Sequence, residues 1–193
     1  MLPIFTDPKG VQDYLDALAY NCTDRVFNPH DVVRERMAHC MDGAVFAATA
    51  LSYIGHRPLL VDLRAVDDDD HVVAVFREDG LWGAVAKSNT TSLRFRAPVY
   101  RTIRELALSY FAVYFNVHGE MSLYEYSRPF SLSSYAGKHL EADDVAFIGD
   151  DLDATVHYPI VSRERLKSLP KVPAYLVDAC FAGANPAGLY KKH

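Results

Sequence analysis

The sequence is short of cysteine and has none in a metal-binding spacing. Its three cysteines, Cys22, Cys40 and Cys180, are an odd number, lie far apart and form no Cys-x-x-Cys pair. That argues against a disulfide framework and against a zinc knuckle. Runs of Lys or Arg are missing too. The chain has 20 basic against 25 acidic residues, a formal net charge of −5, so nucleic acid is not an expected partner. No apolar stretch is long enough to span a bilayer, and no membrane partner is expected. The opening "MLPIFTDPKG" has neither the basic segment nor the apolar run of a signal peptide. There are no internal repeats and no low-complexity linkers. These absences lead us to expect a soluble, cytoplasmic chain with free thiols and no cofactor.

What is present suits a single core. Half of the 193 residues are apolar, which is enough for one domain over 1–193 and short for two. "DPKGVQDYLDALAYN" places Val11, Tyr14, Leu15 and Leu18 on one helical face. A loop follows, and Asn28 or Asp31 can cap the next helical run, "VVRERMAHC". Periodicity leaves open whether that run continues into "AHCMDGAVFAATALSYIG" or breaks near His39. The pattern then turns to strand. "RPLLVDLRAV", "HVVAVFRED" and "LWGAVAKSN" read as an antiparallel meander, the last two joined through Asp79-Gly80, a strong hairpin signal. "VYRTIRELALSYFAVYFN" reads as one helix with Ile103, Leu106, Ala107, Tyr110 and Tyr114 on its stripe. "SLYEYSRPFSL" is a further candidate strand and "DDVAFIGDDLDAT" a short helix. "ACFAGANPAGLYKKH" reads as a loosely held tail.

Cys40 is the residue with chemical promise. If it opens a helix, the dipole and free N–H groups there stabilise a thiolate. Gly43, one turn on, leaves room beside the sulfur for a substrate. His71, after "DDDD" and at a strand start, is placed to take the thiol proton and return it to a leaving group. With Asp79-Gly80 as a two-residue turn, Glu78 pairs with Leu81, and counting back sets position 71 opposite Ser88. A G1 bulge would bring Asn89 there instead. Either side chain can accept a bond from the imidazole and fix its tautomer. The competing reading of Cys40 is core filler, because it is in phase with Val33, Met37, Ala44, Ala48 and Leu51.

The order Cys-helix, His-strand, Asn-strand resembles the transglutaminase-like superfamily, a branch of the papain-like cysteine peptidase fold. The resemblance covers Val32 to Asn89, about a third of the chain, through "HCMDGAVFAATALSYIGHRPLLVDLRA" and "DDHVVAVFREDGLWGAVAKSN". The rest is similar to bacterial proteins carrying this domain. It implies an α+β fold with a Cys-bearing helix packed on an antiparallel sheet, a core at about 32–89, extra helices at both ends and a helical and strand extension over 99–193. It implies Cys40 as nucleophile and His71 as general base. The superfamily's Asp falls about four residues after its Trp. Counted from Trp82 that position is Ala86, so Asn89 stands in as substitute, with Ser88 behind it.

The expected activity is therefore a thiol-dependent amide hydrolase or acyltransferase working through an acyl-enzyme on a peptide or protein amide. The runner-up is an inactive member of the fold that binds protein or peptide. A metal hydrolase using Asp67 to Asp70 with His71 and His39 is disfavoured, because four successive carboxylates cannot converge on one ion. Trp82 and Arg94 are candidate substrate contacts. Arg94 and Arg96 share one face of an extended segment and can bind a carboxylate or simply form a solvated edge.

Overall fold

The structure is a computed structural model, and it describes residues 2–190. The first helix, α1 (Pro8–Asp16), starts where Asp7 accepts a hydrogen bond from Gly10 N at 2.8 Å and Pro8 takes the first turn. A two-residue strand β1 (Ala19–Tyr20) follows. Helix α2 (Pro29–Glu35) is capped by Asn28, which accepts from His30 N and Asp31 N at 2.8 and 2.9 Å. It does not run on. Arg36 turns left-handed at φ 54°, and Met37–Ala38 form β2, parallel to β1. Only then does α3 (Cys40–Tyr53) begin.

The meander follows as β3 (Leu59–Ala65), β4 (His71–Glu78) and β5 (Leu81–Val85). The expected register is observed, with Glu78 opposite Leu81 and pairing maintained back to Ala74 opposite Val85. Asp79 and Gly80 both have positive φ, 46° and 82°, which is the two-residue turn without a bulge. The chain then forms β6 (Arg96–Tyr100) on β5, and helix α4 (Ile103–Phe111). The expected helix was longer. Its first two residues instead complete the edge strand, and Thr102 caps α4 by accepting from Glu105 N at 3.1 Å. Strands β7 (Leu123–Ser127) and β8 (Phe130–Ser131) both add to the free side of β3. Short helices α5 (Lys138–Glu141) and α6 (Phe147–Asp153) precede β9 (His157–Pro159), which pairs with β7. Helices α7 (Arg163–Lys167) and α8 (Ala174–Cys180) come last. The main sheet runs β6-β5-β4-β3-β7-β9, with all neighbours antiparallel. This is an α+β architecture with a helix-covered antiparallel sheet.

Both faces of the sheet are buried. Leu60, Val72, Ala74, Phe76 and Val85 pack with α1 and α3. Leu59, Val61, Leu63, Val73 and Val75 pack with Leu106, Tyr110 and Tyr114 on the opposite side. Alternation along β3 and β4 assigns each residue to a face. No helix among the described residues is long and apolar enough to cross a membrane.

Gly43 fits this packing. A Cβ there would lie 2.4 Å from Lys87 Cβ, so the missing side chain lets α3 approach the segment after β5. That accounts for the glycine by close packing rather than by space for a substrate. Gly43→Ala is expected to lower stability by about 1–3 kcal/mol through overpacking, read as a lower urea midpoint with an unchanged slope.

Candidate functional site

Cys40 owes its position to the break between α2 and α3. His39 Nδ1 accepts from Met41 N at 3.0 Å and from Asp42 N at 3.3 Å, while the Asp42 carboxylate accepts from His39 N at 2.9 Å. This reciprocal cap fixes Cys40 as the first helical residue. Asp42 is fully buried and also accepts from Phe27 N and Asn21 Nδ2, each at 2.8 Å. The Cys40 backbone N–H has no hydrogen-bond partner among the described residues, as befits a donor at a helix start.

The Cys40 side chain is half-buried, and its thiol donates to the Asp70 carbonyl at 3.8 Å. Burial pushes the thiol up to about 12. The Val72 and Met41 N–H groups pull it down, whereas the Asp42 and Asp69 carboxylates push it further up. The helix start therefore does not yield a resting thiolate, because burial and two negative charges outweigh it.

His71 opens β4 and points to the α4 face, with the rings of Tyr110 and Tyr114 each 6.4 Å from its own. It is 4% exposed. Its Nε2 lies 2.9 Å from the Leu93 carbonyl oxygen. A carbonyl only accepts, so Nε2 carries the proton and Nδ1 keeps its lone pair. Nδ1 has no hydrogen-bond partner among the described residues, yet it is not sealed off, since the only sealed and unpartnered side-chain nitrogen or oxygen among them is His139 Nδ1. Burial holds His71 down to about 4. The Leu93 bond opposes this, and the Arg96 and Arg94 charges reinforce it.

Cys40, His71, Ser88 and Asn89 line one cleft of about 630 Å³, together with Tyr20, Cys22 and Tyr114. No hydrogen bond joins Cys40 to His71 among the described residues. Nor does Asn89 orient the imidazole. Its Nδ2 donates to the Asn185 and Gly188 carbonyls at 2.9 and 3.0 Å, and its Oδ1 accepts from Asn185 N at 2.8 Å. Ser88 Oγ is engaged with Thr90. The counting that set these residues beside His71 fails for a definite reason. After Val85 the chain leaves β4, because the Gln12 side chain takes both backbone groups of Ala86, at 2.9 and 3.0 Å. The group that orients His71 is a main-chain carbonyl, which side-chain chemistry does not reveal.

The other candidates lie elsewhere. Trp82 pairs across the sheet with Arg77 and Tyr100, and the Arg77 guanidinium sits 5.5 Å from its ring. Arg94 pairs with Asp16 and donates to the Thr90 and Ser88 carbonyls, both at 3.0 Å, so it braces the loop behind the cleft. Arg96 lies 3.9 Å over the Tyr110 ring. The four-aspartate run does not converge. Asp68 accepts from Ser122 Oγ and Asp70 from Ala65 N, each at 2.7 Å. A separate group, Asp62, Asp70 and Asp153, brings carboxylate oxygens within 4.8 Å of one another. It carries its own cation, Arg64, 3.6 Å from Asp62 and 3.2 Å from Asp153. The tail is held firmly: Thr91 N donates to Cys180 O at 2.9 Å, and Gly188, Leu189 and Tyr190 form part of the cleft wall. Residues 191–193 of the expected tail lie outside the described residues.

Comparison with known protein families and with curated proteins finds no match for this chain.

Two outcomes follow from this geometry. Between about pH 6.5 and 4 the unfolded chain protonates His71 and the folded chain resists, so the stability of the neutral ring is lost as pH falls through that window. Asp62 and Asp68, both raised to about 6 chiefly by burial, act with the opposite sign. The His71 contribution is therefore isolated as wild type minus His71→Phe. That difference is expected to move by about 2 kcal/mol against wild type between pH 7 and 4.5 in urea unfolding. Asn89→Ala should free the tail, read as faster limited proteolysis within 181–190, while leaving the His71 imidazole NMR signals in place.

Proposed function

We propose that the chain is a transglutaminase-like cysteine hydrolase or acyltransferase acting on amides, with Cys40 as nucleophile and His71 as general base. The observation that carries this reading is that Cys40, first in its helix, shares a cleft with a histidine whose Nε2 proton is held by Leu93 O and whose Nδ1 is unpartnered among the described residues. The pair rests neutral, so proton transfer accompanies attack. Cys40 Sγ bonds to the amide carbonyl carbon as its proton passes to His71 Nδ1. The Cys40 backbone N–H supplies one donor for the oxyanion. The C–N bond breaks as Nδ1 returns the proton to the leaving amine, and water or a second amine then opens the thioester. In this scheme the Leu93 carbonyl replaces a side-chain third member, and the roles first expected of Asn89 and Ser88 fall away. The chemistry needs no metal or organic cofactor. The substrate is a peptide or protein amide.

A second reading has its own support. The raised thiol and the absence of a Cys40–His71 bond suit a member of this fold that binds peptide without turning it over.

An activated ester separates the two. In a Cys22→Ser background, p-nitrophenyl acetate should acylate Cys40, located by peptide mass spectrometry. His71→Ala should slow this at least 100-fold, within the usual range for a lost general base. Iodoacetamide should label Cys40 slowly at pH 7, with a rate still climbing at pH 9, since the thiol titrates far above the free value of about 8.5. An ester that leaves Cys40 unmodified and reacts elsewhere would transfer the case to the binding reading.

A further inference from the structure

We propose that the cleft takes an amide whose acyl side carries an ammonium or guanidinium group, and that Asp69 selects it. The inference rests on the catalytic reading of Cys40 and His71 and names the class of substrate for that site. Asp24, Asp68, Asp69 and Asp70 line the cleft, the Asp70 carboxylate being grouped with those of Asp62 and Asp153, and no Lys or Arg joins them among the described residues. They are not equivalent. Asp68 is bound by Ser122 Oγ and Asp69 N, and Asp70 by Ala65 N. The Asp69 carboxylate accepts no hydrogen bond from any described residue and stands near both Tyr20 and Cys40.

The imidazole of the same site faces the same ligand. His71 is 4% exposed, lines the cleft and leaves Nδ1 without a partner among the described residues. That lone pair is not sealed off, so it is open to a group held in the cleft. The amide nitrogen of a substrate set beside it receives the proton that Nδ1 takes from Cys40, while a cation on the same molecule pairs with Asp69. Low-dielectric walls strengthen the field of a carboxylate such as Asp69 in a concavity, and the aromatic lining from Tyr20, Tyr114 and Phe115 adds surface of the kind that cations favour.

Binding and chemistry are then linked. Asp69 is one of the negative charges that oppose ionisation of Cys40. A substrate cation paired with Asp69 cancels that charge as it arrives, so the correct substrate eases departure of the thiol proton and a neutral one does not. For a primary amide the balance is simple. The Cys40 S–C bond forms and the C–N bond breaks, the thiol proton leaves with ammonia, and water then splits the thioester and restores the thiol.

The test uses two ligands of nearly equal shape, Nα-acetyl-lysine amide and Nα-acetyl-norleucine amide. Affinity is read by NMR from the His71 ring signals of wild type and Asp69→Asn, and ammonia release is measured separately. Asp69→Asn should fold normally, since the carboxylate accepts no hydrogen bond from the described residues. We expect the lysine ligand to bind at least ten-fold tighter than the norleucine ligand, with that preference lost in Asp69→Asn and reduced by salt. Equal affinities, binding by neither ligand, or a preference that survives Asp69→Asn would overturn the proposal. Preferential binding without ammonia release supports charge selection and removes the hydrolase reading. Equal release from both ligands leaves the hydrolase reading intact and overturns charge selection.

Discussion

The site depends on one buried carboxylate. Asp42 has no solvent exposure, and three N–H donors meet it: His39 N, Phe27 N and Asn21 Nδ2. Removing any donor would leave a charge partly unsatisfied in a poor dielectric, which is costly. Each donor therefore stays in place, and with it the start of α3, the segment before α2 and the strand that carries Tyr20 to the cleft. Cys40 is two residues from this carboxylate and inherits its position from it. The same charge also weighs against a thiolate at Cys40, so the interaction that places this thiol also favours its protonated form.

The imidazole is prepared in a complementary way. Leu93 fixes which nitrogen holds the proton, and the rings of Tyr110 and Tyr114 enclose the rest. Those tyrosines are themselves anchored: Tyr110 Oη donates to Arg94 O at 2.9 Å and Tyr114 Oη to Asp69 O at 2.7 Å. The second bond ties the α4 side of the sheet to the aspartate loop beside the cleft. Burial pushes the Cys40 thiol up and the His71 imidazole down, so the two share a cleft without a buried ion pair between them.

Lys87 shows why the loop after β5 goes where it does. It is 3% exposed, and its ammonium donates to the Leu15 and Leu18 carbonyls at the end of α1. Gln12 binds Ala86 from the same helix. Together they draw the chain off β4 toward α1, and Ser88, Asn89 and Thr90 become a clamp on the tail side of the cleft rather than a continuation of the hairpin.

Much of this was legible in local chemistry. Strand alternation, the Asp79-Gly80 turn and the Asn28 cap are short-range signals, and the strand register with Glu78 opposite Leu81 followed from them. Cys40 and His71 were singled out by residue type, and the fold sets both in the lining of one cleft. The helix break before Cys40 was undecidable from periodicity, because Cys40 is in phase with its neighbours on either side. It was settled by Arg36 in the left-handed region and by the His39–Asp42 cap. The partner of His71, the diversion of Asn89 to the tail and the closeness of Asp69 to Cys40 were out of reach of the sequence. Each depends on groups brought together across the fold: Leu93 O reaches a residue 22 positions away, and Gln12 binds one 74 positions away. Sequence alone determined the central strands, their hairpin register and the main helical runs, since these follow from periodicity and turn chemistry within a few positions. Tertiary structure decided which atoms face one another, because the hydrogen bonds that do so are made to main-chain groups whose identity no side chain records.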